Sequence, residues 1–283
     1  MGTESPAASP DSTPEPKKFS DIFQSLPANL MPKPIDGSQN ESAEKARMKS
    51  EIERRVRNTE DRLLRAAMPK VPKKFEGRAS FDSLPGLVGA SCKRALAYCK
   101  SWAQRPEGKA GPLLMGKSGT FKSHLMWAAA DELHEITDRN LRAHANALIS
   151  LAGVHIDSGK IAVAFNSIEN ESTWPARDIH VTDGAEIAHA VRSSIVAHNL
   201  DDVVAMYRQE GMTPDRAALF VDDVEVMKLS DWLHEELYRI FNYRYHHAMP
   251  TMISTNLSPD EMKKHLGDRI ARRISDMTEP FRV

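Results

Sequence analysis

The segment Gly116-Lys117-Ser118-Gly119-Thr120-Phe121-Lys122-Ser123 constrains the fold more than any other stretch of the chain. It follows a short apolar run, Leu113 to Met115, and opens a helical pattern from Lys122 to about Glu135. A phosphate-binding loop needs flexible backbone whose N–H groups curl around a β-phosphate, a Lys reaching the β and γ oxygens, and a hydroxyl on a divalent cation. Gly116, Gly119, Lys122 and Ser123 supply those parts, and Lys117, Ser118, Thr120 and Phe121 complete the cradle. The expected ligand is ATP with Mg²⁺. Phe121 departs from the usual pattern, which has Gly immediately before the Lys. Its side chain must point away from the phosphates, toward the protein or a neighbouring subunit. A loop that binds nucleotide and hydrolyses it poorly is the alternative that this departure leaves open.

The rhythm on either side fits. Apolar runs at Leu113 to Met115, Ile179 to Thr182, Leu219 to Val221 and Thr251 to Ser254 read as short buried strands. Amphipathic stretches at Leu84 to Gln104, Lys122 to Glu135, Ala185 to Val196 and Asp231 to Tyr245 read as helices. Strands alternating with helices imply an α/β fold, a parallel sheet covered on both faces. Residues 137 to 177 break that rhythm. They read as an insertion with a helix at Leu141 to Leu151, a strand at Ile161 to Phe165 and a polar loop to Pro175.

The run Ala217-Ala218-Leu219-Phe220-Val221-Asp222-Asp223 is an apolar strand ending in two carboxylates. Downstream of a phosphate loop, that pattern places Asp222 to hold Mg²⁺ through water. Asp223 is then placed to orient or deprotonate the attacking water. The fourth strand ends at Ser254-Thr255-Asn256, where Asn256 either touches the γ-phosphate and lytic water or closes an ordinary turn.

From Leu219 to Ile274 the chain resembles the DnaC and IstB family of AAA+ ATPases. The resemblance rests on the paired acids, Tyr243-Arg244-Tyr245, Pro250-Thr251, Ser254-Thr255-Asn256-Leu257 and Leu266-Gly267-Asp268-Arg269-Ile270-Ala271-Arg272-Arg273-Ile274. Ser80-Phe81 through the phosphate loop to Leu133 also matches. About two thirds of the chain is covered, without gaps past the paired acids. The resemblance implies an AAA+ P-loop domain over 80–283 without a C-terminal lid domain. It implies an arginine finger at Arg273, with Arg269 the runner-up, acting on a neighbouring subunit's γ-phosphate in a homo-oligomer formed on ATP. A guanidinium supplied in trans neutralises transition-state charge, so hydrolysis requires assembly. A solvated basic helix face is the plainer reading of Arg269, Arg272 and Arg273. Carried over by position, Ser230 and Trp232 fall where the family contacts single-stranded DNA. A lone Trp serves equally well in a core or a subunit interface.

The function implied is helicase loading: ATP-dependent assembly on single-stranded DNA and a replicative helicase. A transposition helper of the IstB type and an ATP-sensing adaptor with little turnover are the rivals. Formal net charge is −1, from 38 basic and 39 acidic residues, which disfavours coating duplex DNA through many phosphates. The two cysteines, Cys92 and Cys99, lack metal-type spacing to other ligands, as do His246 and His247. The acidic, Pro-rich start is unlike a signal peptide and no stretch suits a bilayer, so the expected location is cytoplasmic, with no membrane partner.

Seven of the 17 prolines precede residue 40, and residues 1 to 40 read as a largely disordered tail. Within it Phe19, Ile22, Phe23 and Leu26 share one helical face, either a satellite contact or a docking helix. Residues 41 to 79 read as a polar helix and linker for a partner. The thin stripe Met48, Ile52 and Val56 suits a partner or lever arm better than a core.

Overall fold

The computed structural model describes residues 41–68, 80–84, 90–157 and 161–283. The Phe19/Ile22/Phe23/Leu26 motif and the linker at 69–79 lie outside the described residues. In chain order the elements are α1 (Glu41–Ala67), α2 (Ala90–Gln104), β1 (Gly111–Met115), α3 (Lys122–Asp157), α4 (Ile161–Glu169), β2 (Asp178–Asp183), α5 (Gly184–Ala197), α6 (Leu200–Arg208), β3 (Ala217–Asp222), α7 (Asp231–His246), β4 (Thr251–Thr255), α8 (Pro259–Met277) and β5 (Thr278–Arg282). The described residues fall into two compact units: those within 57–146 and 172–283, and those within 41–56 and 147–171. Among the described residues no helix is long and apolar enough to cross a membrane.

The larger unit is built on a five-stranded sheet in the order β2-β3-β4-β1-β5, every pair parallel. Side chains along a strand alternate between faces, and membership of the two core clusters follows that alternation. Leu113, Leu219, Val221 and Ile253 join one cluster with Ile187 and Val191 of α5, Leu237 and Phe241 of α7, and Ile270 and Ile274 of α8. Leu114, Phe220 and Met252 join the other with Cys99 and Trp102 of α2 and Leu125, Ala129 and Leu133 of α3. Helices therefore cover both faces, which is why the central strands β1, β3 and β4 read as largely apolar, buried runs.

Three readings of the sequence change. The stretch at 141–151 is no separate helix, because α3 runs unbroken from Lys122 to Asp157. Ile161 to Phe165 is helix, the start of α4, where an extended strand was expected. Its burial shows why: Phe165 and Ile168 are buried three residues apart while Val163 is exposed, a helical face rather than a two-residue alternation. The stripe on α1 is no free lever. Ile52 and Val56 are fully buried, and Arg55 lies over the Phe165 ring at 5.4 Å and pairs with Glu169 at 3.6 Å. The sequence reading also passed over α6 and β5. Pro280 and the polar ends of Thr278-Glu279-Pro280-Phe281-Arg282 hide β5, which is an edge strand where a proline is tolerated.

Candidate nucleotide site

Strand order decides where the site lies. β3, β4 and β1 are adjacent, so their C-terminal ends bring the paired acids, Asn256 and the Gly116–Ser123 loop to one edge of the sheet. In open α/β sheets ligands bind in the crevice outside those ends. The crossover from β1 to β2 skips the two strands between them and opens that crevice.

The loop is closed tightly on its own backbone. Gly116 N donates to Thr255 O at 3.1 Å, tying the loop's first residue to the end of β4. A side chain at Gly116 would run into the Val283 carbonyl, so glycine is required by packing there. Thr120 Oγ1 donates to Lys117 O at 2.8 Å. Phe121 adopts φ 65°, the left-handed conformation that the usual Gly at this position takes without cost. Its ring packs against the cluster under α2 and α3 and meets His124 edge-on at 5.6 Å between centroids. The Phe121 ring thus turns toward its own domain's core, one of the two directions expected for it. Its carbonyl accepts from Leu125 N at 2.9 Å, so α3 starts at Lys122 and presents its free N–H groups to the loop. Ser123 lies in that first turn.

Lys122 is 5% exposed and its ammonium is fully engaged. Nζ donates to Gly116 O at 2.9 Å, Lys117 O at 3.0 Å and Asn256 Oδ1 at 2.8 Å. Asn256 is thus brought onto the loop lysine.

The acids are held by β4. Ser254 Oγ donates to Asp222 and accepts from Asp223 N at 2.9 Å, so one hydroxyl spaces both residues. Asp223 sits at φ 45°, which turns the chain sharply into a 3-10 turn over Val224–Val226. That turn swings Glu225 back toward β4. Glu225 accepts from Thr255 Oγ1 at 2.8 Å, from Asn256 N at 3.0 Å and from Asn256 Nδ2. Burial, then the charges of Asp222 and Glu225, pushes the Asp223 carboxyl above the ordinary aspartate range, with Lys122 opposing. Among the described residues no group of three or more His, Cys, Asp or Glu side chains could hold a metal ion by itself, so a divalent cation here would need further oxygens from a ligand. Asp222 and Ser123 are the residues placed where they could hold a divalent cation.

Sequence reasoning had named Asp222, Asp223 and Asn256 but not Ser254 or Glu225 as functional groups. The available signal was an acid two residues past the paired acids, facing a Ser-Thr-Asn strand end.

The remaining candidates lie elsewhere. Arg269 is exposed, one helical turn before Arg273 on α8. Arg273 is half-buried: Nε donates to Asn242 Oδ1 at 2.9 Å, the guanidinium lies 4.5 Å over Tyr245, and Asp276 is 3.7 Å away. The helix carrying both arginines is kinked at Gly267, φ 76° and ψ 154°, a conformation reserved for glycine. His234 Nε2 lies 2.6 Å from the Leu266 carbonyl beneath the kink, and any side chain at Gly267 would strike that ring. Ser230 caps α7, its Oγ accepting from Leu233 N at 3.3 Å. Trp232 lines a cavity of about 570 Å³ with His198, Leu200, Asp201 and Asp202. Two carboxylates stand on that wall.

No protein-family model matches the chain, and no curated protein matches its sequence. Solved structures do. The DnaC helicase loader is 18% identical with a TM-score of 0.52, over 75% of this chain and 99% of that one. DnaI is 17% identical with a TM-score of 0.51, over 76% of this chain and 92% of that one. AMPPCP-bound DnaA from Aquifex aeolicus is 14% identical with a TM-score of 0.51, over 73% of this chain and 49% of that one, so about half of DnaA is spanned.

Proposed function

We propose that this chain, which has the AAA+ fold of the DnaC-type loaders, is an ATP-dependent loader of a replicative helicase. The observation that carries the reading is the juxtaposition of Lys122, Asn256, Asp222 and Asp223 at one sheet edge, in a fold whose likeness spans 99% of a helicase loader. Nucleotide binds in the Gly116–Ser123 loop. Asp223 activates water, Asp222 and Ser123 hold Mg²⁺ with the phosphates, and Asn256 senses the γ-phosphate. Arg273 completes the site of a neighbouring copy, with Arg269 beside it, so turnover follows assembly. Ser230 and Trp232 offer single-stranded DNA a stacking contact worth roughly 1–3 kcal/mol per base. The Phe19/Ile22/Phe23/Leu26 face docks the helicase.

The test is reconstitution: a hexameric replicative helicase, circular single-stranded DNA, ATP and full-length protein. Wild type should capture the helicase and raise its transfer to the circle, whereas Lys122→Ala and the pair Phe19→Ala with Phe23→Ala should not. Truncation should remove residues 1–40 only, since Ile52, Val56 and Glu60 of α1 are buried. Capture of a transposase in place of the helicase would overturn the loader reading.

A second reading, an ATP sensor with little turnover, has one observation in its favour, the strained non-glycine residue Phe121 within the loop. Tight ATP binding without hydrolysis, even with DNA and helicase present, would select it.

A further inference from the structure

We infer that Glu225 is a positioning residue of the nucleotide site, setting the orientation of the Asn256 carboxamide and, through it, the place of the Lys122 ammonium. The inference rests on the reading of this site as an ATPase centre.

The argument begins with donor and acceptor chemistry. A carboxamide has one end that accepts and one that donates, and only its neighbours decide which way it faces. An ammonium can only donate and a carboxylate can only accept. Asn256 stands between the two, with Oδ1 2.8 Å from Lys122 Nζ and Nδ2 against Glu225 Oε1. One orientation satisfies both partners, and the reverse would set two donors and two acceptors face to face. Glu225 also grips the Asn256 backbone N–H at 3.0 Å and the Thr255 hydroxyl at 2.8 Å, so residue and side chain are fixed together.

The geometry of Glu225 is built rather than incidental. Ser254 spaces Asp222 and Asp223, Thr255 and Asn256 take Glu225, and the left-handed Asp223 between them reverses the chain so that the Asp222 and Glu225 carboxylates and the Asp223 backbone N–H all meet the end of β4. Parallel pairing of Val221 with Ile253 fixes the register that brings these residues opposite one another. A negative charge at the far end of the amide polarises Oδ1 toward Lys122, and hydrogen-bonded chains of this kind strengthen one another. With one Nδ2 hydrogen given to Glu225, the second remains for a phosphate oxygen. Without Glu225 only Lys122 still orients the carboxamide and nothing grips its other end or its backbone N–H, and misplacement of such a group by about 1 Å can cost on the order of 10²-fold in rate.

The experiment compares wild type with Glu225→Ala, Glu225→Gln, Asn256→Ala and the double change Glu225→Ala with Asn256→Ala. Turnover, ADP affinity and thermal stability are measured on full-length protein with Mg²⁺. Glu225→Ala should lose turnover on the order of 10²-fold, as Asn256→Ala does, with ADP affinity held within about threefold. The double change should be no worse than either single one, because both act through one group. Glu225→Gln keeps an acceptor oxygen and should fall between. Turnover of Glu225→Ala within about twofold of wild type, or losses that multiply in the double variant, would overturn the inference. The Asn256 side-chain amide resonances, assigned by their loss in Asn256→Ala and read without nucleotide, separate this from the ATPase reading. They should shift and broaden in Glu225→Ala even if wild type hydrolyses nothing. Unchanged resonances would overturn the inference while leaving the ATPase reading intact.

Discussion

Lys122 Nζ donates to Asn256 Oδ1 at 2.8 Å, joining the phosphate loop to the end of β4 across 134 residues of sequence. The same ammonium braces the loop through Gly116 O and Lys117 O. Lys122→Ala therefore removes both a charge facing the phosphates and the brace that shapes their cradle. A charged hydrogen bond contributes about 1.5–3 kcal/mol, so ATP affinity should fall roughly tenfold to hundredfold. Asn256→Ala should bind ATP nearly as wild type and lose turnover instead. Calorimetry reads the first and phosphate release the second, and equal ATP affinity in wild type and Lys122→Ala would sink the assignment.

Phe121 sets two effects against each other. Its left-handed backbone costs roughly 1–2 kcal/mol for a residue with a side chain, while its ring contributes packing under α2 and α3. Phe121→Ala keeps the strain and loses the ring. Phe121→Gly loses the ring and the strain together. Denaturant unfolding should rank Phe121→Ala below Phe121→Gly by about 1 kcal/mol, and the glycine variant should keep or raise turnover. Because the ring faces its own domain's core, sedimentation of the glycine variant with ATP should match wild type. Weakened assembly would instead place the ring at a subunit interface.

Asp223 carries the pH dependence. Burial and the charges of Asp222 and Glu225 raise its carboxyl in the folded protein above the value it has unfolded. A raised carboxyl contributes stability that is full below the unfolded value, near 4, and is lost as pH rises through the folded value. At neutral pH the ionised side chain is therefore a cost to the fold. Asp223→Asn should melt higher than wild type at pH about 7.5 without Mg²⁺ or nucleotide, and that gain should vanish toward pH about 3.5. Hydrolysis in wild type should decline on the acid side earlier than an ordinary aspartate would dictate. A variant less stable than wild type at neutral pH would contradict the cause assigned to the shift.

The proposed trans role of Arg273 is testable by mixing. Arg273 is held in place by Asn242 and Tyr245, so Arg273→Ala should bind ATP, lose DNA-stimulated hydrolysis and lose about 1 kcal/mol of stability. Arg269 is exposed, so Arg269→Ala should leave stability unchanged. Combining Arg273→Ala with Lys122→Ala should restore part of the activity, one copy giving an intact pocket and the other an intact finger. If mixed oligomers form and no activity returns, the site is not shared between copies.

The loop, the paired acids and Asn256 were legible in the sequence because each is a local pattern: a Gly-rich turn between strand and helix, carboxylates ending an apolar run, a polar triplet ending another. The two-faced parallel sheet was legible too, since burial on both sides leaves continuous apolar strands such as Ala217 to Val221. Ile161 to Phe165 was misread as strand because five apolar residues fit either period until their neighbours choose a face. β5 stayed hidden because its strand character comes from pairing with β1, not from its own residues. Only the tertiary structure decided what Glu225 and Ser254 do. Their roles depend on the register between β3 and β4 and on a left-handed Asp223, long-range facts that no local spacing encodes.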